Sequence, residues 1–191
     1  MLHFDKEKTF FGKGRHLVAV AVYPGSFDPV TLGHIDILER TSRVFDKIVV
    51  AVVHNVTKEA LFTLDERVEL IKNSVKHLPN IEVACFNGLL ADFLKAKEAT
   101  VIIRGLRSIT DFEYESHMSM MNKTLLPEID TVFIMSNPAY IFISSSGIKE
   151  AALLGGDVSG MVPAVVWKSM QEKLKLQPRK AVGKVEINES H

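Results

Sequence analysis

A serine and a histidine lie between a strand-like and a helix-like segment, and both could act on an anion. Ser26 follows Pro24 and Gly25 at the end of an apolar run, and His34 stands where a helical pattern begins. Free backbone N–H groups and the positive end of the helix dipole attract anions at such a junction, phosphate in particular. Taken alone, these residues fit equally well a plain strand-to-helix turn, with Ser26 as a cap and His34 on the surface.

Three consecutive serines form a second candidate phosphate site, because they open another predicted helix. Ser144, Ser145 and Ser146 precede Gly147, and a single hydroxyl is enough to cap a helix. The two further hydroxyls beside the free N–H groups of the first turn favour anion binding. Capping alone is the alternative interpretation.

The apolar pattern of the chain predicts the elements that hold these residues. Runs rich in Val and Ile predict five strands, over residues 17–23, 47–54, 81–86, 100–103 and 129–135. A helical pattern follows each strand, and Pro163 begins a last helix. The alternation predicts an α/β fold: one domain with a doubly wound, parallel, five-stranded sheet of the Rossmann-like type and C-terminal helices.

The predicted domain covers residues 17–175. In residues 1–16 the apolar side chains follow no sustained helical or strand-like period. These residues are expected to be a poorly ordered extension. Residues 176–191 are charged and poor in apolar side chains, and they are expected to form a flexible tail.

The carboxyl ends of the strands in such a sheet form the usual ligand edge. Ser26, His34, Lys58, Arg104 and Arg107 all follow predicted strands, so we expect them to converge there. Cations, an imidazole and hydroxyls suit phosphoryl or nucleotidyl transfer, where catalysis is mostly positioning and charge stabilisation.

Several other site classes lack their motifs in this sequence. The chain has no G-x-x-x-x-G-K-[ST] loop, no G-x-G-x-x-G after the first strand, no G-x-S-x-G and no H-E-x-x-H. These absences argue against P-loop NTPases, dinucleotide-binding dehydrogenases, α/β-hydrolases and zinc proteases. No metal ligands from protein side chains are predicted.

The composition of the chain indicates which partners and which cellular location to expect. Lys plus Arg and Asp plus Glu both number 23, so no overall field attracts nucleic acid or an acidic membrane surface. No apolar run reaches membrane-spanning length and no signal-peptide pattern is present, so a cytoplasmic protein is predicted. The single cysteine, Cys85, lies in an apolar run and is predicted to be a buried, inert thiol.

Four motifs together resemble the bacterial phosphopantetheine adenylyltransferase family. Tyr23-Pro-Gly-Ser-Phe-Asp-Pro29 with Thr31-Leu-Gly-His34 is similar to the T-x-G-H motif of the nucleotidyltransferase superfamily. The further motifs are Arg104-Gly-Leu-Arg107, Asp111-Phe-Glu-Tyr-Glu115 and Ile143-Ser-Ser-Ser146. The resemblance extends from about residue 18 to about residue 175. Leu32 stands where the family commonly has Asn, and Ser26 where Thr is frequent.

The resemblance implies a reaction and a set of site residues. The adenylyl group of ATP would pass to 4′-phosphopantetheine, giving dephospho-coenzyme A and pyrophosphate, with Mg²⁺ accompanying ATP and no covalent enzyme intermediate. His34 and Lys58 would be catalytic. The implied phosphopantetheine contacts are Ser26, Lys58, Leu90 and Arg104. The implied ATP contacts are Ser26, Phe27, His34, Gly105, Leu106, Arg107, Glu115, Tyr140, Ile141, Phe142, Ile143, Ser144, Ser145 and Ser146. The family also implies a homohexamer and coenzyme A as a feedback ligand.

Two alternatives stay open at this point. One is another small-molecule nucleotidyltransferase, such as a nicotinate-mononucleotide adenylyltransferase or a cytidylyltransferase. The other is a non-catalytic nucleotide-binding module. His34 favours an enzyme over a module, since a protein that only binds needs no transition-state donor.

Overall fold

Five parallel strands form the centre of the molecule. The computed structural model describes residues 19–53 and 60–175, and the structural statements below concern those residues. The strands are β1 (Val20–Gly25), β2 (Lys47–Val53), β3 (Ile81–Phe86), β4 (Val101–Leu106) and β5 (Asp130–Met135). They lie in the order β3-β2-β1-β4-β5, with every pair parallel. The predicted Rossmann-like α/β fold is confirmed, and β1 is its central strand.

Helices cover both faces of this sheet. They are α1 (Leu32–Thr41), α2 (Leu64–Ser74), α3 (Leu90–Ala96), α4 (Ile109–Leu125), α5 (Ser145–Leu153) and α6 (Ala164–Leu174), with a 3₁₀ turn at Pro138–Tyr140. Side chains alternate across β1, so that Ala21 and Tyr23 belong to the core beneath α1, α2, α5 and α6. Val22 points to the opposite face, where it shares a smaller core with α3.

Two element boundaries differ from the predicted ones at positions that affect the site. Helix α1 begins at Leu32, because Thr31 caps it, so His34 lies within its first turn. Strand β4 continues through Leu106 instead of ending at Ile103, since its last residues pair with β5. Arg104 and Gly105 therefore belong to a strand, where pairing with the neighbouring strand overrides their polar, turn-like pattern.

The prediction of a buried Cys85 is wrong, because this thiol is exposed. Cys85 shares a face of β3 with Ile81 and Val83, which pack against the larger core. It lies further along the same strand, and β3 is at the edge of the sheet. An edge strand has a neighbour on one side only, so its end receives little cover.

Candidate active site

The loop between β1 and α1 fixes the orientation of the His34 ring. Thr31 Oγ1 accepts a hydrogen bond from the His34 backbone N–H at 3.3 Å, and His34 Nδ1 accepts one from the Thr31 backbone N–H at 3.0 Å. This reciprocal pair is a capping box in which an imidazole takes the place of the usual Glu or Gln. Because Nδ1 is an acceptor, the neutral ring carries its proton on Nε2 and can donate it outward.

Burial keeps the His34 ring neutral at physiological pH. Desolvation, together with the positive charge of Arg107, lowers the pKa of His34 to about 4. The ring lies edge-on to Phe27, with 5.0 Å between ring centroids. His34 is therefore suited to donate a hydrogen bond from Nε2 and unsuited to act as a fixed positive charge.

A polar cleft lies above His34 at the carboxyl edge of the sheet. It brings together residues from β1, α1, β4, α4 and the amino end of α5, as the sequence predicts. The predicted site residues that line it are His34, Arg104, Gly105, Arg107, Glu115, Tyr140, Ile143, Ser144, Ser145 and Ser146. We call this the polar cleft.

A second, more apolar cleft lies next to it, between α3 and α4. Ser26 and Leu90 line it, as predicted, together with the side chains Phe86, Leu89, Met118, Met121 and Leu125. We call this the apolar cleft. Pro24, Arg104 and Glu115 line both clefts, so the two meet at these three residues.

Arg104 is held at this meeting point by two partners. Its Nε donates to Glu115 Oε2 at 2.6 Å, and Nη2 donates to the other carboxylate oxygen. Nη1 donates to the Pro24 carbonyl at 3.0 Å. A guanidinium bound in this bidentate way is fixed in its plane and reaches both clefts.

Arg107 is held in a comparable way on the polar side. Its Nε donates to Asp111 Oδ2 at 3.1 Å, and its Nη1 donates to the Ile143 carbonyl at 3.1 Å. The second bond ties β4 to the segment that leads into α5.

The three serines at the start of α5 have different roles. Ser144 caps the helix, since its Oγ accepts from the Gly147 backbone N–H at 3.0 Å. Ser145 Oγ donates to the Pro29 carbonyl at 2.8 Å and so joins α5 to the β1–α1 loop. All three line the polar cleft, where the positive end of α5 favours an anion.

Some predicted site residues lie elsewhere. Lys58 falls outside the described residues. The side chains of Phe27 and Leu106 are buried, which leaves their main chains as the groups that could contact a ligand. Ile141 and Phe142 are exposed and are not among the residues that line the two clefts. The roles implied for these residues stay predictions.

The substitution at Leu32 leaves the start of α1 intact. Leu32 is the first residue of the helix, and its backbone N–H donates to the Met161 carbonyl at 3.0 Å. A main-chain bond of this kind does not depend on the side chain.

Sequence reasoning missed two groups that organise the site. The Thr31 cap could have been found, because Thr-x-x-His has the spacing of a capping box. Asp28 gave no such signal, because its partners are 33 to 121 residues away in the chain. Burial would raise the pKa of Asp28, but hydrogen bonds from Lys149 and from the backbone of Leu61 and Phe62 hold it below its usual value.

Within residues 19–53 and 60–175, no group of three or more His, Cys, Asp and Glu side chains could hold a metal ion. None of the helices in this part of the chain is both long enough and apolar enough to cross a bilayer.

Comparisons with known proteins point to one family. Residues 22–151 match the cytidylyltransferase-like family model, a range that contains all residues of both clefts. The chain is 66% identical over 155 residues to a phosphopantetheine adenylyltransferase of Syntrophomonas wolfei, covering 81% of this chain and 96% of that protein. It is 52% identical over 157 residues to one of Clostridium botulinum strain Eklund 17B, covering 82% and 99%.

A solved structure with a similar fold is much more distant in sequence. A candidate nicotinate-nucleotide adenylyltransferase from Vibrio parahaemolyticus matches with a TM-score of 0.61 and 18% identity, covering 82% of this chain and 94% of that one. At this identity the likeness concerns the fold alone.

Proposed function

Since this chain belongs to the phosphopantetheine adenylyltransferase family of cytidylyltransferase-like proteins, we propose that it transfers the adenylyl group of ATP to 4′-phosphopantetheine. The products are dephospho-coenzyme A and pyrophosphate, in the penultimate step of coenzyme A synthesis. The phosphate of phosphopantetheine attacks the α-phosphorus of ATP in line, and the bond from that phosphorus to the pyrophosphate oxygen breaks.

The observation that carries this proposal is the meeting of two unlike clefts at Arg104. The polar cleft offers hydroxyls, an imidazole and a helix amino end, which suit a nucleotide triphosphate. The apolar cleft offers methionines and leucines, which suit the flexible pantetheine arm. The transferred phosphorus would lie where the clefts meet.

Each named side chain has a role in this arrangement. His34 Nε2–H donates a hydrogen bond to the phosphoryl oxygens, on which negative charge develops in the transition state. Ser26 contacts the same phosphoryl group from the apolar cleft. Arg104 binds the attacking phosphate, while Arg107 and the α5 amino end bind the nucleotide phosphates. Lys58 is assigned to phosphopantetheine and to catalysis only because the family resemblance implies these roles.

Magnesium is proposed to enter with ATP, since no acidic cluster among the described residues would bind it independently. Mg²⁺ supplies neutralisation of charge on the phosphates. Coenzyme A carries both a pantetheine arm and an adenine nucleotide, so we propose that it occupies the same clefts and competes with the substrates.

The surface of α4 supports self-association, which we propose to be the homohexamer of the family. None of the 17 residues of this helix is buried. Ile109 and Met120 expose 80% and 63% of their surface, and an apolar face of this kind commonly marks an interface.

Pyrophosphate release tests the substrate. We expect release with ATP and phosphopantetheine, and none with ATP and nicotinate mononucleotide or glycerol phosphate. Release with only one of the latter two would overturn the proposed function and favour another nucleotidyltransferase. Binding of ATP without release for any acceptor would favour a non-catalytic module.

A further inference from the structure

A buried carboxylate outside the two clefts joins three segments, two of which carry site residues. Asp28 exposes only 6% of its surface. Its Oδ1 accepts from the Phe62 backbone N–H at 2.9 Å, and its Oδ2 accepts from the Leu61 backbone N–H at 2.9 Å. Lys149 Nζ donates to the same Oδ2 at 2.8 Å. The β1–α1 loop, the segment before α2, and α5 thus meet at one side chain.

The side chain of Arg67, in α2, contacts the same β1–α1 loop. It exposes only 4% of its surface, and its Nε donates to the Phe62 carbonyl at 2.7 Å. Its Nη1 donates to the Ser26 carbonyl at 3.2 Å, and its Nε lies 3.7 Å from Asp28 Oδ1. A guanidinium at the Ser26 carbonyl and a carboxylate at Asp28 therefore fix the loop on both sides of Phe27.

Two of the segments joined here, the β1–α1 loop and α5, carry residues of the clefts. Ser26 is two residues before Asp28 in the loop. Lys149 is one helical turn after Ser145, whose hydroxyl bonds to the Pro29 carbonyl. Shifting this cluster would therefore move the loop relative to the amino end of α5, and so one wall of the polar cleft relative to another.

We infer that Asp28, together with Arg67 and Lys149, positions the β1–α1 loop against the amino end of α5 for the transfer reaction. None of the three lines either cleft, so Asp28 is a positioning residue and not a catalytic one. The inference rests on the proposed function, because the reaction is its readout.

Asp28→Asn tests this inference. The carboxamide has the same shape but only one acceptor oxygen, so at least one of the three donors faces an NH₂ group. We expect kcat to fall by about 10- to 100-fold, the cost of displacing reacting groups by about 1 Å. The KM values for ATP and phosphopantetheine should stay within about threefold of those of the unchanged protein. Ground-state binding is distributed over many contacts, most of which this substitution leaves in place.

Arg67→Lys provides a second variant. It retains a positive charge beside Asp28, but one ammonium does not reproduce the fork that binds the Phe62 and Ser26 carbonyls. We expect the same pattern, with kcat lowered about tenfold and both KM values nearly unchanged.

Glu82→Gln is the matched control. Glu82 also accepts from two cations, Lys97 at 2.5 Å and Lys47 at 2.7 Å, but it lies near the start of the edge strand β3. Its loss should leave kcat unchanged. Thermal unfolding of all variants sets an assay temperature at which each one is folded.

The outcomes separate the inference from the proposed function. No pyrophosphate release by the unchanged protein is a failure of the proposed function. Turnover by the unchanged protein with equal kcat in a folded Asp28→Asn variant overturns the inference alone, as does a rise in KM at constant kcat. If Asp28→Asn does not fold, Arg67→Lys decides by the same criteria. If neither folds, the cluster is structural and the inference is wrong.

Discussion

At the scale of single residues, the hydrogen bonds of His34 determine what its ring can do. The Thr31 cap occupies Nδ1, and burial lowers the pKa of the ring to about 4. Both effects leave a neutral imidazole with its proton on Nε2. Such a donor stabilises charge that appears in the transition state without binding the ground state strongly.

Replacing His34 by Ala should therefore affect kcat much more than ATP binding. We expect kcat to fall by roughly 10² to 10³-fold, on the scale of a lost oxyanion-type donor. The Kd for ATP, measured by titration calorimetry, should stay nearly unchanged. His77→Ala is the control, since that ring is exposed and pairs with Glu39. Full turnover by His34→Ala would show that the assigned role is wrong.

The lowered pKa of His34 also predicts a pH dependence of stability. Between pH 6.5 and 4 the unfolded chain binds a proton at this residue and the folded chain does not. The free energy of unfolding contributed by His34 is therefore fully present above pH 6.5 and falls as the pH is lowered toward 4.

Urea unfolding at a series of pH values measures this effect. Carboxylates with lowered pKa values, such as Asp28, also make the protein less stable in acid. The unchanged protein is therefore compared with His34→Gln, which keeps these carboxylates and lacks the imidazole. The variant should show a shallower pH slope between 6.5 and 4. Parallel curves for the two proteins would contradict the predicted proton linkage.

Arg104 differs from His34 because it is charged and forms an ion pair with Glu115. We expect Arg104→Gln to raise the KM for phosphopantetheine by about 10- to 100-fold, since a charge-assisted bond to phosphate is lost. Steady-state kinetics with each substrate varied in turn measures the change. The double variant Arg104→Gln, Glu115→Gln controls for the carboxylate left without its partner. An unchanged KM in both would refute the assignment.

At the scale of elements, the site depends on how closely α1 approaches β4. Gly105 lies in β4 opposite Ile134 of β5, and it lines the polar cleft. A Cβ at this position would collide with Cδ1 of Ile37 from α1. The absent side chain leaves room for the buried Ile37 side chain, which packs from α1 against this end of β4.

Gly105→Ala should accordingly destabilise the fold. We expect a loss of about 1–3 kcal/mol, the usual cost of overpacking a core, measured by urea unfolding. Gly160→Ala is the control, because nothing lies within 4 Å of a Cβ built there. A Gly105→Ala protein as stable as the unchanged protein would show that α1 adjusts without cost.

At the scale of the whole molecule, the surface of α4 exposes several large apolar side chains that the site does not explain. The helix flanks the apolar cleft, yet it contributes no buried residue to the core. Ile109 and Met120 are eleven residues apart, which places them on one face of the helix, three turns from each other. Self-association would cover this face.

Charges on that face should weaken self-association. We expect Ile109→Glu combined with Met120→Glu to lower the molar mass measured by size-exclusion chromatography with light scattering, because paired carboxylates at an apolar interface are costly to desolvate. Val44→Glu is the control, since Val44 is an isolated exposed side chain in the loop after α1. A monomeric unchanged protein, or an unchanged mass in the variant, would refute this interface.

The sequence by itself determined the elements, the order in which they occur and the motifs they carry. Apolar runs mark the strands, and the spacing of apolar residues marks the helices, because both patterns reflect burial of a local segment. The same local reading predicted that residues following several strands converge at one edge. The structure confirms this convergence for Ser26, His34, Arg104 and Arg107.

Only the tertiary structure decided which side chains pair and which are exposed. The order β3-β2-β1-β4-β5 puts β3 at an edge, so Cys85 is exposed although its neighbours in the chain are apolar. Pairing with β5 extends β4 through Arg104 and directs that guanidinium to Glu115. Asp28 meets Leu61 and Lys149 over separations of 33 and 121 residues. Such contacts depend on the packing of whole elements, and a local sequence pattern carries no record of that packing.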